Sequence, residues 1–254
     1  MMVKNIRTAA ISLALLILLW ALLSWALTES MLPGPWKTLK TLGADMLAGE
    51  IWFHLGTTLA RVAASFFLAM CIGTVVGVLM GLLPRLDALL NPLLVVGLNI
   101  PMLVISVVLY IGLGLNEWAA VLAVALNKIP LVVVMLREGA RALDPKYFDL
   151  AASFRVPRYF IFKQIILPQL IPYLLASARS GLTLVWKIVL VVEFLGRGNG
   201  IGFQIHMFFQ NYDMAHILSY TMLFVCVMLA IDYGLMQRMD QGLLNWSGRH
   251  GRGN

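Results

Sequence analysis

Six apolar runs, each about as long as a membrane is thick, decide what this chain can fold into. They fall at about 9–27, 57–83, 89–113, 118–136, 170–195 and 217–236. A helix rises ~1.5 Å per residue, so ~20 apolar residues cover a hydrocarbon core of ~30 Å. Lipid offers the backbone no hydrogen-bond partner, and segments of this length cross it as helices that satisfy their own N–H and C=O groups. With 61% hydrophobic and 12% charged residues, the chain lies outside the range of soluble globules. The expected fold is all-α and integral to the membrane: one transmembrane domain over 1–254 with about six helices. A cleaved signal peptide is the rival for the first run, but that run exceeds the ~7–15 residues of a signal's apolar region and no small-x-small cleavage site follows it.

A formal net charge of +7 fits a nucleic-acid partner only if it is gathered on a soluble surface. Here the basic residues sit between apolar runs, where they report orientation. Lys4, Arg7, Arg85, the dense group from Arg137 to Lys163, and Arg238, Arg249 and Arg252 in the tail assign both termini and two loops to the cytoplasm. Gly73, Gly77 and Gly81 recur every four residues, a helical face on which a neighbouring backbone can come close. Pro92 and Pro101 interrupt the third run. Lys128 and Lys187 fall within a few residues of the midplane, and each would cost roughly 2.5–3.5 kcal/mol if it faced lipid. They are expected to face the bundle interior or a watery pathway, and with Glu193 they are the pathway candidates. Glu193 stands six residues from Lys187, about 120° around the helix, and is a poor partner for it.

The glycine-rich 196–202 has no preceding strand, and G-x-x-x-x-G-K-[ST] occurs nowhere; a flexible outer turn is the expectation. Cys71 and Cys226 lie inside apolar runs, and His54, His206, His216 and His250 are scattered at spacings that suit no metal. With no H-E-x-x-H, G-x-S-x-G or C-x-x-C, the chain has no catalytic residue, metal site or cofactor in prospect. Energy for transport must then come from a partner or an ion gradient.

One polar segment stands apart from the runs. Residues 144–168, DPKYFDLAASFRVPRYFIFKQIILP, are too charged to span lipid. Asp144-Pro145 reads as a helix start, the Asp side chain accepting free N–H groups of the first turn and Pro tolerated at the first helical position. Tyr147, Phe148, Ala151, Ala152 and Phe154 recur at helical spacing, and Pro157 closes the helix. The segment resembles the cytoplasmic coupling loop of bacterial ABC importer permeases: Glu-Ala-Ala, three residues, Gly, nine residues, Ile-x-Leu-Pro. Ile165, Leu167 and Pro168 match its end, which puts Asp149 at the Glu, Leu150 and Ala151 at the two Ala, and Arg155 at the Gly. Leu32-Pro33-Gly34-Pro35 after the first run, and the 54–62 stretch HLGTTLARV, are similar to the nitrate, sulfonate and taurine branch. Glu193-Phe194-Leu195-Gly196 and Gly200-Ile201-Gly202 resemble elements that end the fifth span there.

The resemblance implies a permease subunit of an ATP-driven importer in the bacterial inner membrane. Two copies would form the pathway, a pair of separate ATPase subunits holding ATP and Mg would dock on the coupling loop, and a periplasmic or lipid-anchored binding protein would deliver a small polar or anionic solute. Asp149, Leu150, Ala151, Ser153, Phe154, Arg155 and Pro168 become the coupling residues. Where the family has Gly, Arg155 implies either a backbone with no need of positive φ or a compensating groove on the ATPase. The alternative is a self-contained ion-coupled secondary transporter, a class that relies on intramembrane acids and internal repeats.

Overall fold

The structure, a computed structural model, describes residues 2–27 and 31–250, with the backbone alone at 2–7, 9–10, 233 and 235–250. The basic residues Lys4, Arg7, Arg238, Arg249 and Arg252, on which the expected orientation draws, lie outside the described side chains. Every regular element among the described residues is helical: α1 (Met2–Ala26), α2 (Pro35–Ala48), α3 (Glu50–Leu82), α4 (Pro84–Asn99), α5 (Met102–Leu113), α6 (Glu117–Arg141), α7 (Pro145–Ser153), α8 (Arg158–Phe160), a π-helical stretch (Ile161–Ile166), α9 (Leu167–Gly196), α10 (Ile201–Gln210) and α11 (Met214–His250). Glu50–Leu82, Glu117–Arg141, Arg158–Gly196 and Met214–Asp232 are long and apolar enough to cross a membrane, and Ile11–Ala26 is a shorter apolar helix.

The third apolar run is not one rod. Its two halves, α4 and α5, meet at 97°, so they make either one broken span or a re-entrant turn. Pro101 is the cause: it pushes Ile100 out of the α region, to φ −72° and ψ 123°. The second run begins earlier than its hydropathy indicates, at Glu50, because 50–56 continues the helix beyond the apolar core.

The chain divides into two units, Met1–Thr58 with Glu193–Met228, and Leu59–Val192 with Leu229–Asn254. In the first, Trp20 Nε1 donates to the Pro33 carbonyl at 3.1 Å and Ser24 Oγ to that of Leu32 at 2.8 Å, fastening α1 to the turn before α2.

In the second unit α3 and α6 come almost backbone to backbone. A Cβ on Gly73 would lie 2.5 Å from Val132 Cβ, one on Gly77 2.7 Å from the Val133 carbonyl oxygen, and one on Gly81 2.5 Å from Ala140 Cβ. Each four-residue step on α3 is matched by a similar step on α6, so the two helices run parallel. Beyond the stripe, the Arg61 guanidinium grips Glu117 through Nε and Nη2, both at 2.7 Å, a two-point pair that fixes orientation as well as charge. At the other end Asp87 accepts from Arg137 at 3.3 Å and from Arg141 at 2.6 Å, tying α4 to α6.

A side chain inside the stripe has nowhere to go. Gly77→Val should lower stability by about 1–3 kcal/mol or more through overpacking. Gly43→Ala on α2, where nothing lies within 4 Å of the added carbon, should be neutral or stabilising by up to ~1 kcal/mol. Thermal unfolding in detergent separates the two.

Candidate functional site

The polar segment 144–168 is built from local rules. Asp144 caps α7, its carboxylate accepting from the Lys146 N–H at 2.9 Å, with Pro145 at the first helical position. Phe148 packs against a buried cluster of Ala140, Leu143, Ile166 and Leu170, and Ala151 is buried where it lines the cleft on the other side. The other face of α7 looks outward: Tyr147 is 51% exposed, Leu150 56% and Phe154 74%. These three, with Val156, Phe160 and Ile165, line an open cleft of about 260 Å³. Asp149 and Ser153 are exposed, and Ser153 Oγ donates back to the Asp149 carbonyl.

Helix α7 ends at Ser153, four residues before Pro157. Arg155 N–H donates to the Ala152 carbonyl at 3.1 Å and Val156 N–H to that of Ala151 at 2.9 Å. This pair of bonds makes a Schellman stop, whose central position is left-handed and usually glycine. Arg155 occupies it at φ +49°. The backbone therefore does take the positive φ that a Gly would supply, and an arginine bears it. Downstream, Pro168 has no N–H to offer the preceding turn, and the helix widens into the π-helical stretch just before it. Gln169 bridges the two parts, its Nε2 donating to the Ile165 carbonyl at 3.1 Å and its Oε1 accepting from Asp144 N–H at 3.3 Å.

The three pathway candidates lie in different surroundings. Lys128 is 1% exposed within α6, its side-chain end against Gly181 of α9, where an added Cβ would be 2.6 Å from Lys128 Cε. Among the described residues it has neither an ion pair nor a hydrogen bond, and the glycine is what makes room for it. Lys187 is exposed, about 120° around α9 from Gly181, so the two lysines do not share a face.

Glu193 is fully buried and already engaged. Its carboxylate accepts from Thr58 Oγ1 at 2.9 Å and from the Gly202 N–H at 2.9 Å. Thr58 Oγ1 accepts from Ile201 N–H at 2.8 Å and His54 Nδ1 from Gly200 N–H at 3.0 Å, so three side chains satisfy three consecutive donors at the start of α10. Because Nδ1 accepts, neutral His54 carries its proton on Nε2, 2.6 Å from the Gln204 amide, which must present its oxygen. Gly200 sits at φ +108°, and a Cβ there would collide with the Glu193 carboxylate. The stretch expected to be a flexible turn is thus a pinned helix start, and α10 is an element that hydropathy did not reveal. A second cluster flanks the start of α11: His216 Nδ1 lies 2.6 Å from Asp213 and its Nε2 3.7 Å from Asp45. Burial raises the Asp45 carboxyl above its ordinary range against the pull of His216, and Asp213 adds to the rise.

Comparison with solved structures identifies the fold. The chain superimposes on one from the MetNI methionine ABC transporter in inward-facing conformations with a TM-score of 0.68 at 16% identity, covering 78% of this chain and 98% of that one. The chain belongs to the binding-protein-dependent transport system inner membrane component family, whose model matches residues 69–236. It is 25% identical to a putative aliphatic sulfonates transport permease protein SsuC of Bacillus subtilis, over 92% of this chain and 85% of that protein. It is 23% identical to the taurine transport system permease protein TauC of Escherichia coli, over 85% and 80%. It is therefore a membrane permease component of an ABC importer, in the sulfonate and taurine branch, and nothing in its relatives favours the ion-coupled alternative.

The turn after α7 makes a local prediction. A left-handed residue other than glycine costs about 1–2 kcal/mol, and β-branched side chains tolerate it least. Arg155→Gly should leave the unfolding temperature unchanged or raise it, and Arg155→Val should lower it, when both are measured on the purified protein.

Proposed function

We propose that the outward face of α7 and the turn behind it are the seat of a separate ATPase subunit. The observation that carries this reading is the open apolar cleft beside Leu150 and Phe154, next to a helix whose other face is anchored in the protein core. An apolar helix face laid into a partner's groove transmits rigid-body motion, which is what an importer without its own nucleotide site requires. Asp149, Leu150, Phe154 and Arg155 make the contact; Ala151 and Ser153 shape the helix, and the π-helical stretch before Pro168 joins the segment to α9. ATP and Mg are held by the partner.

In the same reading the chain acts as one permease domain, pairs with a second copy to enclose the pathway, has both termini in the cytoplasm, and receives its solute from a periplasmic or lipid-anchored binding protein. The solute is small and polar or anionic, of the nitrate, sulfonate and taurine class. The names of the relatives support that choice, and so does the intramembrane Lys187.

The contact can be tested by co-purification. Leu150→Asp and Arg155→Glu should each lower the ATPase recovered with the tagged permease at least severalfold while membrane insertion stays normal. Full recovery with both variants would show that this face meets water or lipid instead.

A further inference from the structure

The last turn of α6 is a junction. Ala142, Leu143 and Asp144 are all that separates it from α7, and Ala140 and Leu143 belong to the buried cluster on which Phe148 of α7 packs. Gly139 faces α9 so closely that a Cβ there would lie 2.6 Å from Tyr173 Cγ, and Ala140 meets Gly81 of α3. A displacement of α7 is therefore felt first at this turn.

From the same turn Arg137 and Arg141, four residues apart and so on one face of α6, both reach α4. Arg141 Nη2 donates to Asp87 Oδ2 at 2.6 Å, and Arg137 Nη1 donates to Asp87 Oδ1 at 3.3 Å and to Asn91 Oδ1 at 2.8 Å. Glu138 accepts from Arg137 at 3.1 Å and from Arg141 at 3.2 Å, which holds both guanidinium groups in place. Asp87 stands in the first turn of α4 and Arg141 in the last turn of α6, each at the helix end whose dipole favours its charge. Further along, α4 rests on apolar surface: Leu94 packs with Met80 and Val133, and Gly97 lies against Pro130. Apolar contact has no direction, and a helix rolls or slides over it at little cost. Two arginines on one carboxylate fix rotation and axial register. Ile100, where the chain leaves α4 for the 97° bend into α5, lies ~20 Å along the helix from Asp87 at ~1.5 Å per residue.

We propose that Asp87 is a positioning residue of the ATP-driven cycle: through Arg137 and Arg141 it makes α4 follow the seat of α7, and so carries the motion of the ATPase to the bend at Ile100 and Pro101. Packed helices joined at a fixed register move as one body, which is how a local displacement reaches a distant break in the backbone. The assignment rests on the reading of α7 as the ATPase seat, and it deepens that reading by naming the tie through which the seat acts on the membrane helices.

The test uses the complete transporter, permease with its ATPase, in a Cys71→Ser, Cys226→Ser background carrying a nitroxide spin label at Ile100→Cys or, should that variant not insert, at Val104→Cys. The accessibility of the label to a water-soluble relaxing agent is compared with and without ATP and vanadate. Nucleotide trapping should change it severalfold in this parent. Adding Asp87→Ala should remove most of that response while the ATPase recovered with the permease is unchanged, and the reversed pair Asp87→Arg with Arg141→Asp should restore it. Should Asp87→Ala not assemble, Asp87→Asn, which keeps the shape and removes the charge, is read in the same way. A response that persists without the carboxylate, a parent silent at both positions, or a reversed pair that restores nothing overturns the tie. Leu150→Asp in the same complex scores the seat separately. If it leaves the ATPase bound while Asp87→Ala abolishes the response, the tie stands and the seat reading fails; if it releases the ATPase while Asp87→Ala responds like the parent, the tie fails and the seat reading stands.

Discussion

The close approach of α3 and α6 is the constraint on which the second unit depends. In lipid there is little hydrophobic reward for burying one helix against another, so association rests on van der Waals contact and a few polar bonds. Three glycines on α3 let that contact reach the backbone of α6, and the Arg61–Glu117 pair fixes the register beyond the stripe. With α6 so held, its buried face receives Gly97 of α4 at Pro130 and Gly181 of α9 at Lys128. Glycine recurs where α3, α4 and α9 come near α6.

This dependence explains what could be read in one dimension and what could not. The glycine stripe and the Asp144 cap are local patterns, legible because period and neighbour chemistry alone specify them. The Leu150 position was legible as part of a motif, but its outward aim was not, since the packing of Phe148 decides which face of α7 is seated. Helix α10 escaped notice because its capping groups are not its own. Glu193 is close in sequence, but Thr58 and His54 stand 143 and 146 residues away from the N–H groups they accept. For the same reason Glu193 read as a pathway candidate. Its role became visible only with the donors placed around it.

The turn at Arg155 shows a departure from a motif being absorbed by geometry. A glycine is favoured there because the Schellman stop needs a left-handed residue, and the requirement belongs to the backbone, not to the partner. The arginine meets it at a modest conformational cost while placing a charge beside the apolar cleft.

The central claim is that this chain moves a small polar or anionic solute of the sulfonate and taurine class using ATP hydrolysed by another subunit. Proteoliposomes assembled from the permease, its ATPase and its binding protein, assayed for taurine accumulation, test it most directly. Accumulation that requires all three components and ATP, and is insensitive to collapse of ion gradients, is the predicted result. Uptake by the permease alone, driven by a proton or sodium gradient without ATP, would contradict it.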